Sequence, residues 1–291
     1  MMNACGDAAH FSADWLASRE ALDARSRSRC LTGLAAAWLA ARPGVHRLVD
    51  LGSGSGSNLR FLAPRLPGPQ RWRLVDHDDE LLARAGRTRL HDAEGGRVAV
   101  GLERRDLTPV DDALLRDADL VVASALCDLV SRSWAEALVD GCAARGQALL
   151  ITLTVDGDWA FLDAGGERVD SDEDIAVRTL VQAHQRRDKG LGVALGGQAP
   201  AVLAERLEAA GYRVVSVYSP WFVPRGEAAT RLVAEALLDG WHSAALEQAP
   251  EQAERLARWH DARRAQLAAG ELGLTVGHRD LFATPGAGAT A

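Results

Sequence analysis

Residues 49–56 read Val49-Asp50-Leu51-Gly52-Ser53-Gly54-Ser55-Gly56, an apolar run that breaks into alternating glycines just ahead of a helical stretch. Gly52 permits the tight turn that ends a strand. Gly54 and Gly56 leave main-chain amides open to a ligand with no Cβ in the way. The spacing is GxGxG, not the GxGxxG of dinucleotide loops, and a carboxylate, Asp50, stands two residues before the first glycine. That carboxylate repels a diphosphate and attracts an ammonium group. Two unit charges 4 Å apart interact by roughly 4 kcal/mol at an effective dielectric near 20, so charge sign alone separates the two ligands. No lysine follows the glycines, which excludes a triphosphate-binding loop of the GxxxxGK[ST] kind.

Strand and helix patterns alternate around this turn. A helical pattern over Asp14 to Arg42 carries Leu31, Leu34, Ala35, Trp38 and Leu39 at helical spacing and stops at Pro43-Gly44. After the turn come a helix over Leu59 to Leu66, a strand over Trp72 to Val75, and a helix over Glu80 to Leu90 capped by the acidic run Asp76-His77-Asp78-Asp79. Further strands are read at Val98 to Leu102, Asp119 to Ser124 and Ala148 to Leu153, with a capping box, Ser133-Trp134-Ala135-Glu136, opening the helix between the last two. This rhythm implies right-handed crossovers. The expected fold is an α/β, Rossmann-like, seven-stranded and mostly parallel sheet with helices on both faces. An N-terminal helical segment (1–44) precedes the main domain (45–284), and an inserted helical lid after strand five covers about 157–198. Strand six is read at Arg213 to Tyr218, strand seven at Leu274 to Phe282, and a disordered tail over 285–291.

Composition narrows the function classes. The chain has 291 residues, 33 Lys+Arg against 40 Asp+Glu, and a net charge of −7, which speaks against general phosphate attraction to nucleic acid. No apolar run approaches the roughly 20 residues of a membrane span, and no signal peptide is read at the start, so a cytoplasmic protein is expected. Cys5, Cys30, Cys127 and Cys142 are scattered without a CxxC pair, the usage of reduced thiols.

The segment Asp50 to Gly56 resembles motif I of the class I S-adenosylmethionine-dependent methyltransferases, and the resemblance runs over about Val45 to Val155. It implies that S-adenosyl-L-methionine is the cofactor and S-adenosyl-L-homocysteine the product. Asp76, closing the second strand, matches the acidic residue that hydrogen-bonds the ribose hydroxyls. Its plain alternative is a helix cap, which is also the reading of Asp78 and Asp79. Asp106, in Arg105-Asp106-Leu107, matches the residue that contacts the adenine amine, and otherwise is a solvated turn acid. Ser124-Ala125-Leu126 matches the segment lining the donor pocket, and His77 either stacks beside the adenine or lies exposed in its loop. The cofactor-binding set is therefore Asp50, Gly52, Ser53, Gly54, Gly56, Asn58, Asp76, His77, Asp106, Leu107, Ser124 and Ala125.

Methyl transfer from a sulfonium chiefly needs alignment, and a base only where the acceptor arrives protonated. Asp128, after the fourth strand, is read as orienting or deprotonating an acceptor, or else as a helix cap. Arg19, Asp23, Arg25, Arg27 and Arg29 either fold over the donor or lie on the surface, Arg19 and Asp23 being four apart as in a surface ion pair. The run from His184 to Gly192 holds Arg187 and the sole lysine, Lys189, between glycines. His184 is read there as catalytic, and Arg187 and Lys189 as binding an anionic acceptor, against a solvated helix end. Trp159, Trp221 and Trp241 either wall an apolar acceptor pocket or pack the core, and Trp221 is kept as substrate-binding. No metal is expected, since Asp156, Asp158, Asp170, Asp172 and Asp174 read as a solvated acidic loop.

The activity implied is methyl transfer to oxygen or nitrogen of a small, anionic metabolite by a monomer or homodimer, with no nucleic acid or membrane partner. The alternatives are an RNA or protein methyltransferase, a non-catalytic S-adenosylmethionine-binding scaffold, and a nicotinamide oxidoreductase, which the Asp50 charge disfavours.

Overall fold

The computed structural model describes residues 12–188 and 190–286. Two helices come first, α1 (Ala13–Ser26) and α2 (Arg29–Ala40), each started by a serine whose Oγ accepts a first-turn amide, Ser12 from Trp15 and Ser28 from Leu31. Then follow β1 (His46–Leu51), α3 (Ser57–Leu62), β2 (Gln70–Asp76), α4 (Asp79–Ala85), β3 (Ala99–Arg104) and α5 (Asp112–Leu115). Next are β4 (Leu120–Ser124), α6 (Arg132–Ala143), β5 (Ala148–Leu162), α7 (Asp172–Gln185) and α8 (Ala199–Ala209). The chain closes with β6 (Tyr212–Tyr218), β7 (Trp221–Val223), α9 (Ala228–Gln248), α10 (Ala253–Ala268) and β8 (Gly273–Pro285).

The strand order is β3-β2-β1-β4-β5-β8-β6, with β7 paired to β8 off that path. β1 to β5 are parallel neighbours, whereas β8 runs antiparallel to β5, β6 and β7. This is a Rossmann-like α/β fold. The crossovers from β1 outward in both directions open a crevice at the carboxyl ends of β1 and β4, where such sheets bind ligands. Apolar residues of α2, α3 and β2, such as Leu39, Leu59 and Trp72, fill one face. Those of α6 and α8, such as Trp134, Leu138 and Leu203, fill the other.

A third core accounts for where the sequence reading and the structure part. β5 does not stop near Leu153 but continues to Leu162, so the region read as a helical lid begins with a strand, and the sheet has eight strands in place of seven. Asp156-Gly157-Asp158 breaks the apolar run and reads as a loop. In the fold it is an irregularity, with Asp156 Oδ1 accepting the Asp158 amide at 3.0 Å and Gly157 at φ +84°. Pairing then resumes from Trp159 opposite Val276. The extended β5–β8 ribbon carries β7, α7, α9 and α10 around a core of Trp159, Phe161, Trp241 and Trp259, with Trp159 and Trp241 stacked at 4.0 Å. Helix α6 is capped by Ser131, two residues ahead of the expected Ser133. Pro285 ends β8, and the rest of the expected tail beyond Gly286 lies outside the described residues.

The N-terminal helices are fastened to this frame at two points. Arg60 of α3 donates through Nε and Nη2 to the two carboxylate oxygens of Glu20, each at 2.6 Å. Asp280, fully buried on β8, accepts from the amides of Ser28 and Leu153 and from Ser219 Oγ. One carboxylate thus joins the α1–α2 junction, the bulge in β5 and the approach to β7.

Candidate active site

The turn after β1 is left-handed at each glycine, with φ +65° at Gly52, +51° at Gly54 and +84° at Gly56, a conformation that disfavours side chains. The amides of Gly52 and Ser53 donate to the Val75 carbonyl, which pins the turn to β2. A Cβ on Gly56 would lie 2.9 Å from that of Ala85, so this glycine is also required for α3 to pack on α4.

Beneath the turn sits a pair of opposite charges. Asp50 is 1% exposed; its Oδ1 accepts from Asn58 Nδ2 at 3.1 Å, and its Oδ2 has no partner. Burial pushes its carboxyl up to about 7, with Asn58 and Arg27 pulling the other way. Arg27, between α1 and α2, is 3% exposed and donates from Nη2 to Ser124 Oγ at 3.0 Å and to Ser57 Oγ at 3.4 Å. Its Nε and Nη1 are buried without partners. Burial lowers its pKa from the ordinary arginine value, and Asp23, Asp50 and Asp280 oppose that shift. Unpaired polar atoms this deep are uncommon in native folds and mark a place where a ligand or ordered water completes the bonding.

Above this floor opens a crevice of about 410 Å³. Of the expected cofactor residues, Gly52, Gly54, Asp76, His77, Asp106, Leu107, Ser124 and Ala125 line it. Asp50, Ser53, Gly56 and Asn58 form the layer that supports it. Asp76 is not a helix cap, since Asp78 caps α4. Asp76 instead accepts from the Gly54 amide at 2.7 Å and the Asp78 amide at 3.0 Å, and His77 Nδ1 lies 3.3 Å from it. Its two oxygens retain lone pairs for a diol. Ala125 holds φ +52°, an uncommon setting for a residue with a Cβ, and contributes to the wall where β4 ends.

The acceptor-side expectations are placed less evenly. Asp128 follows β4 between Leu126 and Leu129, which line the crevice; its Oδ1 is sealed from solvent without a partner, and burial raises its carboxyl to about 6. His184 and Arg187 do not line the crevice. His184 Nε2 lies 3.0 Å from Glu247 Oε2, while Arg187 donates to Glu247 and Gln248 at the end of α9. Both answer a carboxylate some 60 residues downstream, which the local sequence does not display. Lys189 lies outside the described residues, and its neighbours Gly190 and Leu191 line the crevice. Trp221 is buried beneath the guanidinium of Arg19 rather than in the crevice wall. Of the acidic run, Asp158 and Asp170 pair with Arg168 and Arg178, and Asp174 pairs with Arg263.

Leu16 and Arg19 of α1 also line the crevice; Leu16 was not singled out in the sequence, whereas Arg19 belongs to the arginine-rich segment expected either to fold over the donor or to lie on the surface. The Arg19–Asp23 pair exists, with Nε to Oδ2 at 3.0 Å, but Asp23 is buried and the pair sits at the crevice instead of on the surface. The one available signal was the clustering of arginines in a helix that precedes the first strand.

No family model matches the chain, and no curated protein matches it. Among solved structures it is similar to a SAM-dependent methyltransferase from Geobacter sulfurreducens in complex with S-adenosyl-L-homocysteine, at 18% identity over 94% of this chain and 98% of that one, with a TM-score of 0.42. A SAM-dependent methyltransferase from Thiobacillus denitrificans with the same ligand is 19% identical over 94% and 99%, TM-score 0.41. The cyclopropane synthase MmaA2 from Mycobacterium tuberculosis is 11% identical over 88% and 83%, TM-score 0.44. Likenesses this distant assign no activity, so the site's own geometry carries the functional reading.

Proposed function

We propose that this chain transfers a methyl group from S-adenosylmethionine to an oxygen or nitrogen atom of a small acceptor. The observation that carries the reading is the buried pair under the glycine turn. Asp50 and Arg27 each keep unpartnered polar atoms there, one negative and one positive. An amino-acid tail is a zwitterion and matches both signs, whereas a diphosphate matches only one. The bare turn fits a close approach, because a Cβ on Gly52 would meet Leu126 at 3.3 Å.

Asp50 would take the ammonium and Arg27 the carboxylate of the donor. Asp76 would accept from its ribose hydroxyls, with His77, Asp106 and Leu107 beside the base. When bound, S-adenosylmethionine supplies a sulfonium methyl group, which the acceptor's lone pair takes in line as the S–C bond breaks. Asp128 receives the proton that the acceptor's O–H or N–H gives up, ending neutral. Its raised carboxyl, near 6, suits a base working around neutral pH. Leu16, Leu126 and Leu191 keep water from the donor. No helix among the described residues is long and apolar enough to cross a membrane.

Calorimetry with S-adenosylhomocysteine and with NAD tests the reading. Binding of the first and not the second is expected, and the reverse overturns it. Incubating the protein and labelled donor with a cell extract, then searching by mass spectrometry for metabolites that gain one CH₂, identifies the acceptor.

A further inference from the structure

Elements far apart in sequence meet around Arg19. The residue lies on α1 and lines the crevice. Its Nε is held by Asp23 Oδ2, and among the described residues its Nη groups make no hydrogen bond, so the flat outer edge of the guanidinium is left to the crevice. The guanidinium lies over the ring of Trp221 at 5.0 Å from the centroid. Trp221, on β7, packs 5.0 Å from the ring of His278 on β8. His278 Nδ1 donates to the Val276 carbonyl at 3.0 Å, and burial holds this imidazole neutral, so it brings no competing charge.

Two more atoms of this corner are incomplete. Trp221 Nε1 is a buried donor without a partner, and Asp128 Oδ1 is a buried acceptor without one. The charge at Arg19 is felt at Asp128, at His278 and at Arg27. Asp23 stands near both guanidinium groups, Arg19 and Arg27, so that trio keeps a net positive charge.

We propose, resting on the methyltransferase reading above, that Arg19, backed by the Trp221 ring, is the anion subsite of the acceptor and selects a carboxylate. The two Nη groups of Arg19 offer the planar fork that pairs with a carboxylate, and the buried Trp221 ring beneath it holds that fork in place. A doubly charged phosphate suits the corner less, because Asp23 and Asp128 stand beside its single guanidinium. The acceptor class is then a compact monocarboxylic acid whose hydroxyl or amine is held toward Asp128. This moves anion recognition from the loop after α7, where Arg187 is engaged with Glu247, to the N-terminal helix.

The test is calorimetry on the protein saturated with S-adenosylhomocysteine, titrating acetate, propanoate and benzoate and then the matching amides. At least one carboxylate is expected to bind tenfold or more tightly than its amide. Arg19→Met should shrink that preference to within twofold, Arg19→Lys should keep part of it, and Trp221→Phe, which preserves the ring under the guanidinium, should keep most of it. The preference is read in each variant as the ratio of carboxylate to amide affinity, with S-adenosylhomocysteine kept saturating. No preference for any carboxylate, or a preference that survives Arg19→Met, overturns the proposal. Should S-adenosylhomocysteine fail to bind the unaltered protein, the donor reading falls by itself, and the same titrations on the free protein still decide whether this corner takes carboxylates.

Discussion

The side of the crevice proposed for the donor is drawn, Arg27 apart, from one stretch of chain, residues 50–125, whereas the side proposed for the acceptor is assembled from α1 and the turn after β4, with the β7–β8 pair packed beneath Arg19. The two sides also rest on different chemistry. Bare backbone and left-handed glycines shape the first, so its demands fall on residue type at fixed positions. Convergent side chains shape the second, and their positions depend on how the β5–β8 ribbon leaves the sheet. The contrast means that donor binding and acceptor recognition should come apart under mutation, except where one residue fastens both.

Asp128→Asn should give the largest separation. Loss of a positioned base lowers rate by about 10²–10⁴, so turnover of labelled donor in extract should fall by that factor while S-adenosylhomocysteine affinity holds. In the unaltered protein, turnover should rise with pH and level off above about 6 as Asp128 ionises. Parallel losses of turnover and donor affinity would merge the two sides into one. Asp280→Ala is the next largest. It strips the partner from two amides and a hydroxyl that join α2, β5 and the entry to β7. A loss of about 3 kcal/mol in urea unfolding is expected, with both sides of the crevice loosened together.

The same contrast explains what could be read from the residues alone. The parallel half and its turn follow local rules, continuous apolar strands and glycines where φ must be positive, so Gly52, Gly54, Asp76 and Ser124 come to one crevice as the pattern implies. The antiparallel half does not announce itself. Asp156-Gly157-Asp158 looks like the end of a strand, and only Asp156's own hydrogen bond to the Asp158 amide lets β5 resume at Trp159. Arg19 and Asp23 have the spacing of a surface pair, and burial comes from Trp221, some two hundred residues away. His184 and Arg187 read as acceptor-side residues because their partner, Glu247, lies some 60 residues downstream.

Asp50→Asn sharpens the donor half of the comparison through pH. The carboxyl of Asp50 lies near 7 in the fold against an ordinary 3.8. Between those values the folded chain holds a proton that the unfolded chain has lost, so Asp50 makes stability fall as pH rises through that window. An ammonium ligand favours the ionised form. Affinity for S-adenosylhomocysteine should therefore climb with pH toward about 7 and then level. The asparagine variant should bind at least tenfold more weakly at pH 8 and lose this pH dependence. A flat profile in the unaltered protein would remove Asp50 from contact with the ammonium.

The smallest expected effect comes from Arg187→Ala, and it is informative for that reason. Arg187 is well exposed and meets Glu247 Oε2 at 3.3 Å, an arrangement worth about 0–1 kcal/mol once solvent screening and side-chain ordering are counted. His184 still reaches the same carboxylate in its absence, so α7 keeps its hold on α9. Urea unfolding should shift by less than 1 kcal/mol, and neither S-adenosylhomocysteine affinity nor carboxylate affinity should change measurably. A selective loss of carboxylate affinity would return anion recognition to the loop after α7 and leave Arg19 as a packing residue, redrawing the acceptor side while leaving the donor side untouched.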